Sequence, residues 1–480
     1  MNEKKTDQPL GLMESVAMVL IPIASIFLSI IILNIDTLMA LLIGAATGVT
    51  IAIVLGFKWD DLMVGITKAV SRVTIVLIIL YLVGILVAVW IKGGTIPYMF
   101  YWGLNLMGVK SFLAVSFILC SIFSLCTGTS FGTIAAGGVV LMGVGQTLGI
   151  NPGMTAGAII SGAFLGDKMS PASDTTNFAS SVVDVKLFSH IGSMMYTTIP
   201  AGILSLILFT VIGFNIADSE LPQIVAQTAE ILNNTFQFNI FLLIPPVLFI
   251  TCSIKRVPAI PTMFISIVVG GIVGVIVQDG LSIHEIFNAG LNGSVYNTGT
   301  GVDGLLSRGG LNSMFFSITI IILAMSVGGI IESTGALKTI VDTVMVRVKS
   351  VPGLILSVMA SNYLMLGGTG DMMMAISLTG RSFAKTFEER GISPRVLSRT
   401  LEDSATLGAP LFLWGVSPGF IQSQLGLNVM DYGIYCFLNY LSPIIAIICA
   451  ITGFGIFKLS DIEKPSVAAI EQKRVELSKP

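Results

Sequence analysis

Long apolar segments recur along almost the whole chain, in which 54% of the 480 residues are hydrophobic and only 11% are charged. A helix of about 20 apolar residues crosses the ~30 Å hydrocarbon core of a bilayer. A soluble protein would not contain so many segments of this length, so they predict membrane-spanning helices. The clearest are Ser15–Leu33, Thr37–Gly56, Val73–Ile91, Met194–Phe214, Phe236–Ile254, Ile260–Val277, Met314–Ile331 and Gly433–Phe457.

The remaining composition argues against several other classes of protein. The formal net charge is −2, and no cluster of basic residues suggests a nucleic-acid partner. The five cysteines lie in apolar segments without metal-ligand spacing, which is typical of small buried side chains. His284-Glu285 lacks the second histidine of a metalloprotease motif, and no glycine-rich phosphate loop is present. We therefore expect neither an enzyme nor a resident cofactor.

The chain contains an internal repeat with a constant offset. The offset is 242 positions, because 369−127, 391−149 and 403−161 all give this number. We predict two homologous halves, residues 15–214 and 236–457, joined by a linker at residues 215–235. The matching pairs are Thr127-Gly128 with Thr369-Gly370, Gly149–Pro152 with Gly391–Pro394, and Ser161 with Asp403.

The distribution of Lys and Arg predicts how the two halves are oriented. Segment 381–399 contains five basic residues, whereas its repeat partner, segment 139–157, contains no charged residue. Basic residues concentrate on the cytoplasmic side of a membrane, so these two equivalent loops should face opposite sides. The halves are then inverted repeats, as in many secondary transporters. The tails, residues 1–14 and 458–480, are predicted to be cytoplasmic and the linker extracytoplasmic.

Two apolar segments are expected to enter the membrane without crossing it. Gly353–Gly380 has basic residues on both sides, so we predict a re-entrant hairpin with its tip at Gly368–Asp371. The matching hairpin is Ser111–Met142, with its tip at Thr127–Ser130. Both tips must be buried in protein or line a cavity, because lipid-exposed loops do not occur in the hydrocarbon region. The predicted fold is an all-α polytopic membrane protein with five crossings, one hairpin and one broken helix in each half.

The broken helix of the first half is indicated by the polar segment Gly166–Asn177, which lies between apolar runs. Pro171 lacks a backbone N–H, so the helix should break near Ser170. Broken helices at the bilayer midplane are typical ion sites of transporters. Oxygen ligands suit a hard cation. We predict that Na+ binds to Asp174, Thr175, Thr176 and Asn177. The alternative interpretation is a polar loop at the membrane surface.

Acidic residues within the apolar regions are candidates for proton binding. Burial favours a neutral carboxyl group and a nearby cation favours the carboxylate, so one carboxyl group can bind either a proton or Na+. We favour Asp167 and Asp403 as the proton-binding partners, with Lys168 as a neutralising cation beside Asp167. The alternatives are that Asp371 only stabilises its turn and that Asp403 caps a basic loop. The predicted ion- or substrate-binding residues are Asp167, Lys168, Ser170, Ser173, Asp174, Thr175, Thr176, Asn177, Thr127, Thr129, Ser130, Thr369, Asp371, Asp403 and Thr406.

Two further expectations concern polar residues outside this set. We expect His190 and His284 to lie near the membrane surfaces. For Glu402, as for Asp403, one alternative interpretation is that it caps the basic loop that ends at Arg399.

The segments Ser161–Pro171 and Ser173–Asn177 resemble the signature of the NhaC-type Na+/H+ antiporters, a family of the wider ion-transporter superfamily. The likeness covers most of residues 15–457 in hydropathy and repeat layout. It implies a bacterial inner-membrane protein in which hairpins and broken helices move against a scaffold. The family also includes malate/lactate antiporters and members assigned to amino acids.

The residues and the resemblance together predict a secondary transporter that exchanges cytoplasmic Na+ for external H+ by alternating access. The first alternative is an organic-anion or amino-acid transporter, in which Lys168 or N–H groups at Thr127–Ser130 hold a carboxylate. A channel or a membrane scaffold is the second alternative, and the paired hairpins argue against it. The expected partners are Na+, H+, small carboxylates under the first alternative, the lipid bilayer, and a second copy of the chain in a homodimer.

Overall fold

The computed structural model describes residues 10–106, 108–216, 221–255, 257–297, 303–347 and 350–459. These residues form helices joined by short loops, which confirms the predicted all-α membrane fold. Most of both predicted tails and residues 217–220 of the linker lie outside the described residues.

The helices of the first half follow the apolar segments of the sequence. A π-helical turn at Ile134–Gly138 joins α7 to α8. The helices are α1 (Leu12–Ile31), α2 (Thr37–Val54), α3 (Trp59–Arg72), α4 (Thr74–Lys92), α5 (Thr95–Leu106), α6 (Val109–Thr127), α7 (Ser130–Thr133), α8 (Val139–Thr147), α9 (Pro152–Met169), α10 (Asp174–Val182) and α11 (Leu187–Phe214).

The predicted linker contains a helix, α12, and the second half follows it. A second π-helical turn, Glu402–Thr406, continues α21. The helices are α12 (Leu221–Thr235), α13 (Ile244–Ile254), α14 (Ala259–Val277), α15 (Ile283–Asn292), α16 (Asp303–Leu306), α17 (Phe315–Ser333), α18 (Ala336–Arg347), α19 (Val351–Thr369), α20 (Met372–Glu389), α21 (Pro394–Leu401), α22 (Val416–Leu425), α23 (Val429–Tyr432) and α24 (Phe437–Thr452).

Among the described residues, eight helices are long and apolar enough to span a membrane, or up to eleven if each of three bent pairs is one span. The predicted ten crossings fall within this range. By length and hydropathy, α6 and α19 are also candidate membrane spans, although the sequence predicts that they belong to re-entrant hairpins. The number of crossings and the side on which each terminus lies therefore stay predictions.

The element boundaries repeat at the offset found in the sequence. Helices α6 and α19 begin 351−109 = 242 positions apart and end 369−127 = 242 positions apart. The next helices of the two halves, α7 and α20, begin 372−130 = 242 positions apart, and α10 and α22 begin 416−174 = 242 positions apart. This agreement is consistent with two homologous halves. Their inversion in the membrane stays a prediction.

Each hairpin tip packs against the helix break of its own half. Gly128 ends α6 with a φ of 71°, and Gly370 ends α19 with a φ of 68°, a conformation that glycine adopts without steric cost. A Cβ on Gly128 would lie 2.7 Å from the carbonyl carbon of Ala172. A Cβ on Gly370 would lie 2.9 Å from the Cα of Gly415. The absence of a side chain at each tip therefore allows the backbones to meet.

The returning part of each hairpin packs against the broken helix of the other half. The Phe131 and Phe420 rings stack with centroids 4.4 Å apart, which joins the first hairpin to α22. Helix α20 of the second hairpin packs against α10. The two halves are thus interlocked around the two helix breaks.

Gly128→Ala is expected to lower the free energy of unfolding by about 2–3 kcal/mol. The new side chain would have to adopt a left-handed conformation, which costs about 1 kcal/mol, and would also collide with the backbone at Ala172. The matched control is Gly391→Ala, because Gly391 has a φ of 65° but a Cβ there would have no atom within 4 Å. Thermal unfolding in detergent measures both variants. Equal losses would show that the contact at the tip contributes nothing.

Candidate ion-binding site

The helix break of the first half lies where the sequence placed it. Helix α9 ends at Met169, and α10 begins at Asp174. The Ser173 hydroxyl accepts a hydrogen bond from the Thr176 backbone N–H at 3.3 Å and so caps α10. The Ser170 hydroxyl accepts from the backbone N–H of Ala172 at 3.2 Å. The polar residues of the break thus satisfy backbone groups that a continuous helix would pair.

Two of the predicted Na+ ligands also support the backbone of the break. The Thr176 hydroxyl donates to the carbonyl oxygen of Lys168 at 3.1 Å. The Asn177 amide nitrogen donates to the carbonyl oxygens of Pro171 at 2.9 Å and Ser173 at 2.7 Å. These side chains bond to carbonyl groups at the end of α9 and in the break, which would otherwise be available to a ligand.

Asp167 joins the break to the tip of the first hairpin. Its carboxyl group is 3% exposed, and its Oδ2 accepts a hydrogen bond from the Ser130 hydroxyl at 2.8 Å. The Ser173 hydroxyl also interacts with this carboxyl group, and it lies 3.0 Å from the hydroxyl of Thr175. A buried carboxyl group and three hydroxyl groups therefore meet at one place. Such oxygen donors suit a hard monovalent or divalent cation.

The four predicted Na+ ligands differ in exposure. Asp174 and Asn177 are exposed, whereas Thr175 and Thr176 are buried. Asp174 is the first residue of α10, where the positive end of the helix dipole favours a carboxylate. The structure thus brings Thr175 to the group around Asp167, and it places Asp174 and Asn177 at the exposed side of the break.

Lys168 forms a buried ion pair with Asp403, and both side chains are 0% exposed. The Asp403 Oδ1 also accepts from the hydroxyls of Ser442 at 2.7 Å and Thr197 at 3.0 Å. The Lys168 ammonium donates to Ser442 at 3.3 Å. The prediction that Lys168 neutralises Asp167 is therefore wrong, because its carboxylate partner comes from the other half of the chain.

The helical segment before the break of the second half contains two buried acids in one π-helical turn. Glu402 and Asp403 are both 0% exposed, so the interpretation that they cap a surface loop is wrong. Thr406, the last residue of the turn, interacts with Glu402. The neighbouring Ser404 hydroxyl accepts from the Asn362 amide at 2.7 Å. π-helical turns are rare and are frequent at functional sites.

The tip of the second hairpin lies near a separate ion pair. The Asp371 Oδ1 accepts from the Met373 N–H at 2.9 Å and caps α20, and its own N–H donates to the Thr369 hydroxyl at 3.3 Å. These bonds match the turn-stabilising alternative for Asp371. Nearby, Arg72 pairs with Glu332, and charges on both act on Asp371.

The remaining predicted residues lie at the first tip. Thr129 caps α7, because its hydroxyl accepts from the Gly132 N–H at 3.2 Å. The Thr127 hydroxyl is buried and has no hydrogen-bond partner among the described residues.

A cavity of about 410 Å³ lies apart from both breaks, and Ser294, Arg308 and Gln424 are among its lining residues.

Sequence comparison identifies the family. A family model described as the Na+/H+ antiporter family matches residues 10–176 and 162–454. The chain belongs to the Na+/H+ antiporter family. The Na+/H+ antiporter NhaC of Alkalihalophilus pseudofirmus is 35% identical over 95% of this chain and 98% of its own length.

Other relatives of this family member carry different names. The arginine/ornithine antiporter ArcD of Halobacterium salinarum is 34% identical over 94% of each chain. The malate-2H+/Na+-lactate antiporter of Bacillus subtilis is 33% identical over 88% of this chain and 90% of its own length. Family membership confirms the resemblance found in the sequence and places the chain among membrane antiporters.

Two buried side chains of this antiporter-family protein pack between helices. His190 is 0% exposed and its Nδ1 lies 2.7 Å from the Ser398 hydroxyl, while its position near a membrane surface stays a prediction. Arg399, assigned to a basic loop, is also 0% exposed and donates to the Gly455 carbonyl at 2.9 Å. The sequence did contain one indication of where Arg399 lies. Arg399 precedes Asp403 by four residues, so the two side chains lie on the same face of the helix.

Proposed function

We propose that this protein is a secondary transporter that exchanges Na+ for H+ by alternating access, and that the two ions compete for Asp167. The observation that carries the proposal is the position of this carboxyl group, which is buried where the first hairpin tip meets the helix break. The relative named Na+/H+ antiporter NhaC supports the same reaction.

The chemistry follows from the surroundings of Asp167. As a carboxylate it can bind Na+ together with the hydroxyl oxygens of Ser130, Ser173 and Thr175. As a carboxylic acid it is neutral and leaves no charge for Na+ to balance. Burial in a low-dielectric site makes an unneutralised carboxylate costly, so the group carries one ion or the other. The site binds either Na+ or H+ but not both, and it opens to one side of the membrane at a time. Na+ is therefore exchanged for H+.

The other predicted ligands take supporting roles in this proposal. Asp174 lies on the exposed side of the break and would attract Na+ towards Asp167, while Thr176 and Asn177 hold the break in shape. Asp403 would take part through its ion pair, because proton uptake by Asp403 would release Lys168 and so link the two halves. Na+ and H+ are the transported ions, and the reaction needs no resident cofactor.

The direction and the location form the finer part of the proposal. Na+ would leave the cytoplasm as H+ enters, across a bacterial inner membrane. The termini would be cytoplasmic, and the linker at residues 215–235 would be outside. Cysteine labelling of intact cells tests this topology, with single cysteines placed in the linker and in the tail at residues 458–480. Labelling of the tail in unbroken cells would contradict it.

The exchange itself is measured in liposomes that contain the purified protein and a pH-sensitive dye. Addition of Na+ to one side should move protons to that side, and the same concentration of choline should not. A wild-type protein without a Na+-dependent response would refute the proposed reaction.

Asp174→Asn should raise the half-saturating Na+ concentration by about tenfold, which corresponds to about 1.4 kcal/mol. The reason is that the variant loses one attractive charge but keeps the buried site around Asp167. The maximal rate should change little. A variant with wild-type affinity would exclude Asp174 from the path of the cation.

A carboxylate or amino acid as substrate is disfavoured by one observation. The predicted cationic ligand for such a substrate, Lys168, is already paired with Asp403. Counterflow of labelled malate, lactate, arginine and ornithine separates these substrates from a pure cation exchanger. Each should show no counterflow under the conditions in which Na+ drives proton movement.

A further inference from the structure

The cavity of about 410 Å³ lies between two groups of helices with different roles in the fold. One wall comes from the returning part of the first hairpin and from the end of α22, through Val139, Ser423, Gln424 and Gly426. The other wall comes from α4 and from the stretch between α15 and α17. The cavity therefore lies where a hairpin and a broken helix face elements that contain neither.

Two helices lead from the ion site to this cavity. Ser130, which donates to Asp167, is the first residue of α7, and α7 continues through the π-helical turn into α8. Val139 is 139−130 = 9 positions further on, which is about 13 Å along a helix axis. Helix α22 likewise begins after Gly415, at the second break, and reaches the cavity at Gln424. Both helices therefore connect the level of the site with the level of the cavity.

Two stacked aromatic rings lie between these levels. Phe131 directly follows Ser130, and its ring stacks on Phe420 with centroids 4.4 Å apart and an interplanar angle of 15°. Phe420 is 0% exposed and precedes Gln424 by four residues, so these two side chains share a face of α22. The rings therefore form an apolar layer between the hydroxyl that bonds to Asp167 and the wall of the cavity.

An apolar layer of this kind stops ions. Na+ and H+ need water or polar groups around them, and a hydrophobic constriction excludes water. The charged residue that lines the cavity is Arg308, whose positive charge acts on both ions alike and so does not alter their competition for Asp167. In contrast to the ring pair, the cavity wall is rich in polar side chains, among them Asn292, Ser294, Ser307, Ser313, Ser423 and Gln424.

We propose that this cavity is the route by which ions reach Asp167 from one side of the membrane, and that the stacked Phe131 and Phe420 rings are the gate that closes the route in this conformation. The inference rests on the proposed Na+/H+ exchange and adds a route and a gate to it. Alternating access requires the site to be closed to one side while it is open to the other. Movement of the first hairpin relative to α22 would separate the rings and join the cavity to the Ser130 hydroxyl.

The route is tested by chemical blockage of the cavity in right-side-out and inverted membrane vesicles that contain the full-length protein. Ser423→Cys and Ser307→Cys place a thiol on opposite walls of the cavity. Each variant also carries Cys126→Ser, because Cys126 is the exposed native cysteine. A bulky, membrane-impermeant maleimide should stop most of the Na+-dependent proton movement, and it should do so from the same single side of the membrane in both variants.

The matched controls for the blockage are Cys126→Ser alone and Cys126→Ser with Met430→Cys. Met430 lies on α23 and is 74% exposed, outside the cavity. Both controls should keep their rate after the same treatment. Exchange at the full rate in labelled Ser423→Cys and Ser307→Cys would overturn the route. A failure of both thiols to react from either side would overturn it too, because the route must be open to solvent.

The gate is tested by Phe131→Ala combined with Phe420→Ala. Without the rings, the route stays open while the opposite side opens, so Na+ should run down its gradient and the number of Na+ ions moved per proton should rise several-fold. Radioactive Na+ and a pH-sensitive dye measure the two flows. The control Phe117→Ala truncates a ring that packs on Phe209, with centroids 5.6 Å apart, and should lower stability without a change in this ratio.

The outcomes separate the gate, the route and the proposed function. An unchanged ratio in the double variant would overturn the gate. If the double variant does not fold, Phe131→Leu gives the same test, because it keeps an apolar side chain but loses the stacked ring. Wild-type vesicles without Na+-dependent proton movement would overturn the proposed exchange and this inference together. Wild-type exchange that is indifferent to both the blocked cavity and the missing rings would overturn this inference alone.

Discussion

Asp167→Asn is expected to reduce Na+-dependent proton movement by about 100-fold or more while the protein stays folded. The amide cannot bind a proton or carry a charge. It can still accept the hydrogen bond from Ser130, which is 2.8 Å from the carboxyl oxygen in the wild type. Loss of a charged ligand worth about 3 kcal/mol corresponds to about 100-fold. The rate is measured with the pH-sensitive dye in liposomes, and the fold by thermal unfolding in detergent.

Two further variants define what this loss means. Ser130→Ala removes one hydroxyl ligand but keeps the charge, so it should weaken Na+ binding by about tenfold and leave exchange measurable. Asp60→Asn removes an exposed acid of α3 and should have no effect. A wild-type rate in Asp167→Asn would mean that the ions compete at a different carboxyl group.

The features that the sequence predicted well depend on local backbone chemistry. Pro171 lacks an N–H and marks a real break between Met169 and Asp174. Gly128 and Gly370 occur at tips where only a residue without a side chain allows close approach. Such positions can be recognised in a sequence because a single residue type determines the local backbone conformation. The tip glycine occurs in both halves, at the constant offset of 242 positions.

The features that the sequence could not predict depend on contacts between distant parts of the chain. Lys168 is next to Asp167 in the sequence, yet adjacent residues on a helix point in different directions. Its partner, Asp403, is 235 positions away in the other half. The burial of His190 and Arg399 likewise depends on helices α11 and α21 packing together. Hydropathy alone places such residues at a surface, because it cannot identify the groups that satisfy them.

The ion pair between Lys168 and Asp403 is expected to have the largest effect on stability. Lys168→Met leaves a buried carboxylate without its cation, and Asp403→Leu leaves a buried ammonium with only the Ser442 hydroxyl. Removal of one member of a buried pair costs about 3–5 kcal/mol, because the other charge stays in a low-dielectric region. Thermal unfolding should therefore show a large loss for each single variant.

The double variant decides whether the pair stabilises the fold or serves the transport cycle. With both charges gone, Lys168→Met with Asp403→Leu should recover most of the stability, because an apolar pair carries no desolvation penalty. The matched control is Lys385→Met, which breaks an exposed pair with Glu389 at 3.6 Å and should cost less than about 1 kcal/mol. A double variant as unstable as the singles would contradict the buried-charge explanation. If the double variant is stable but does not exchange ions, the pair is retained for coupling between the two halves of the chain.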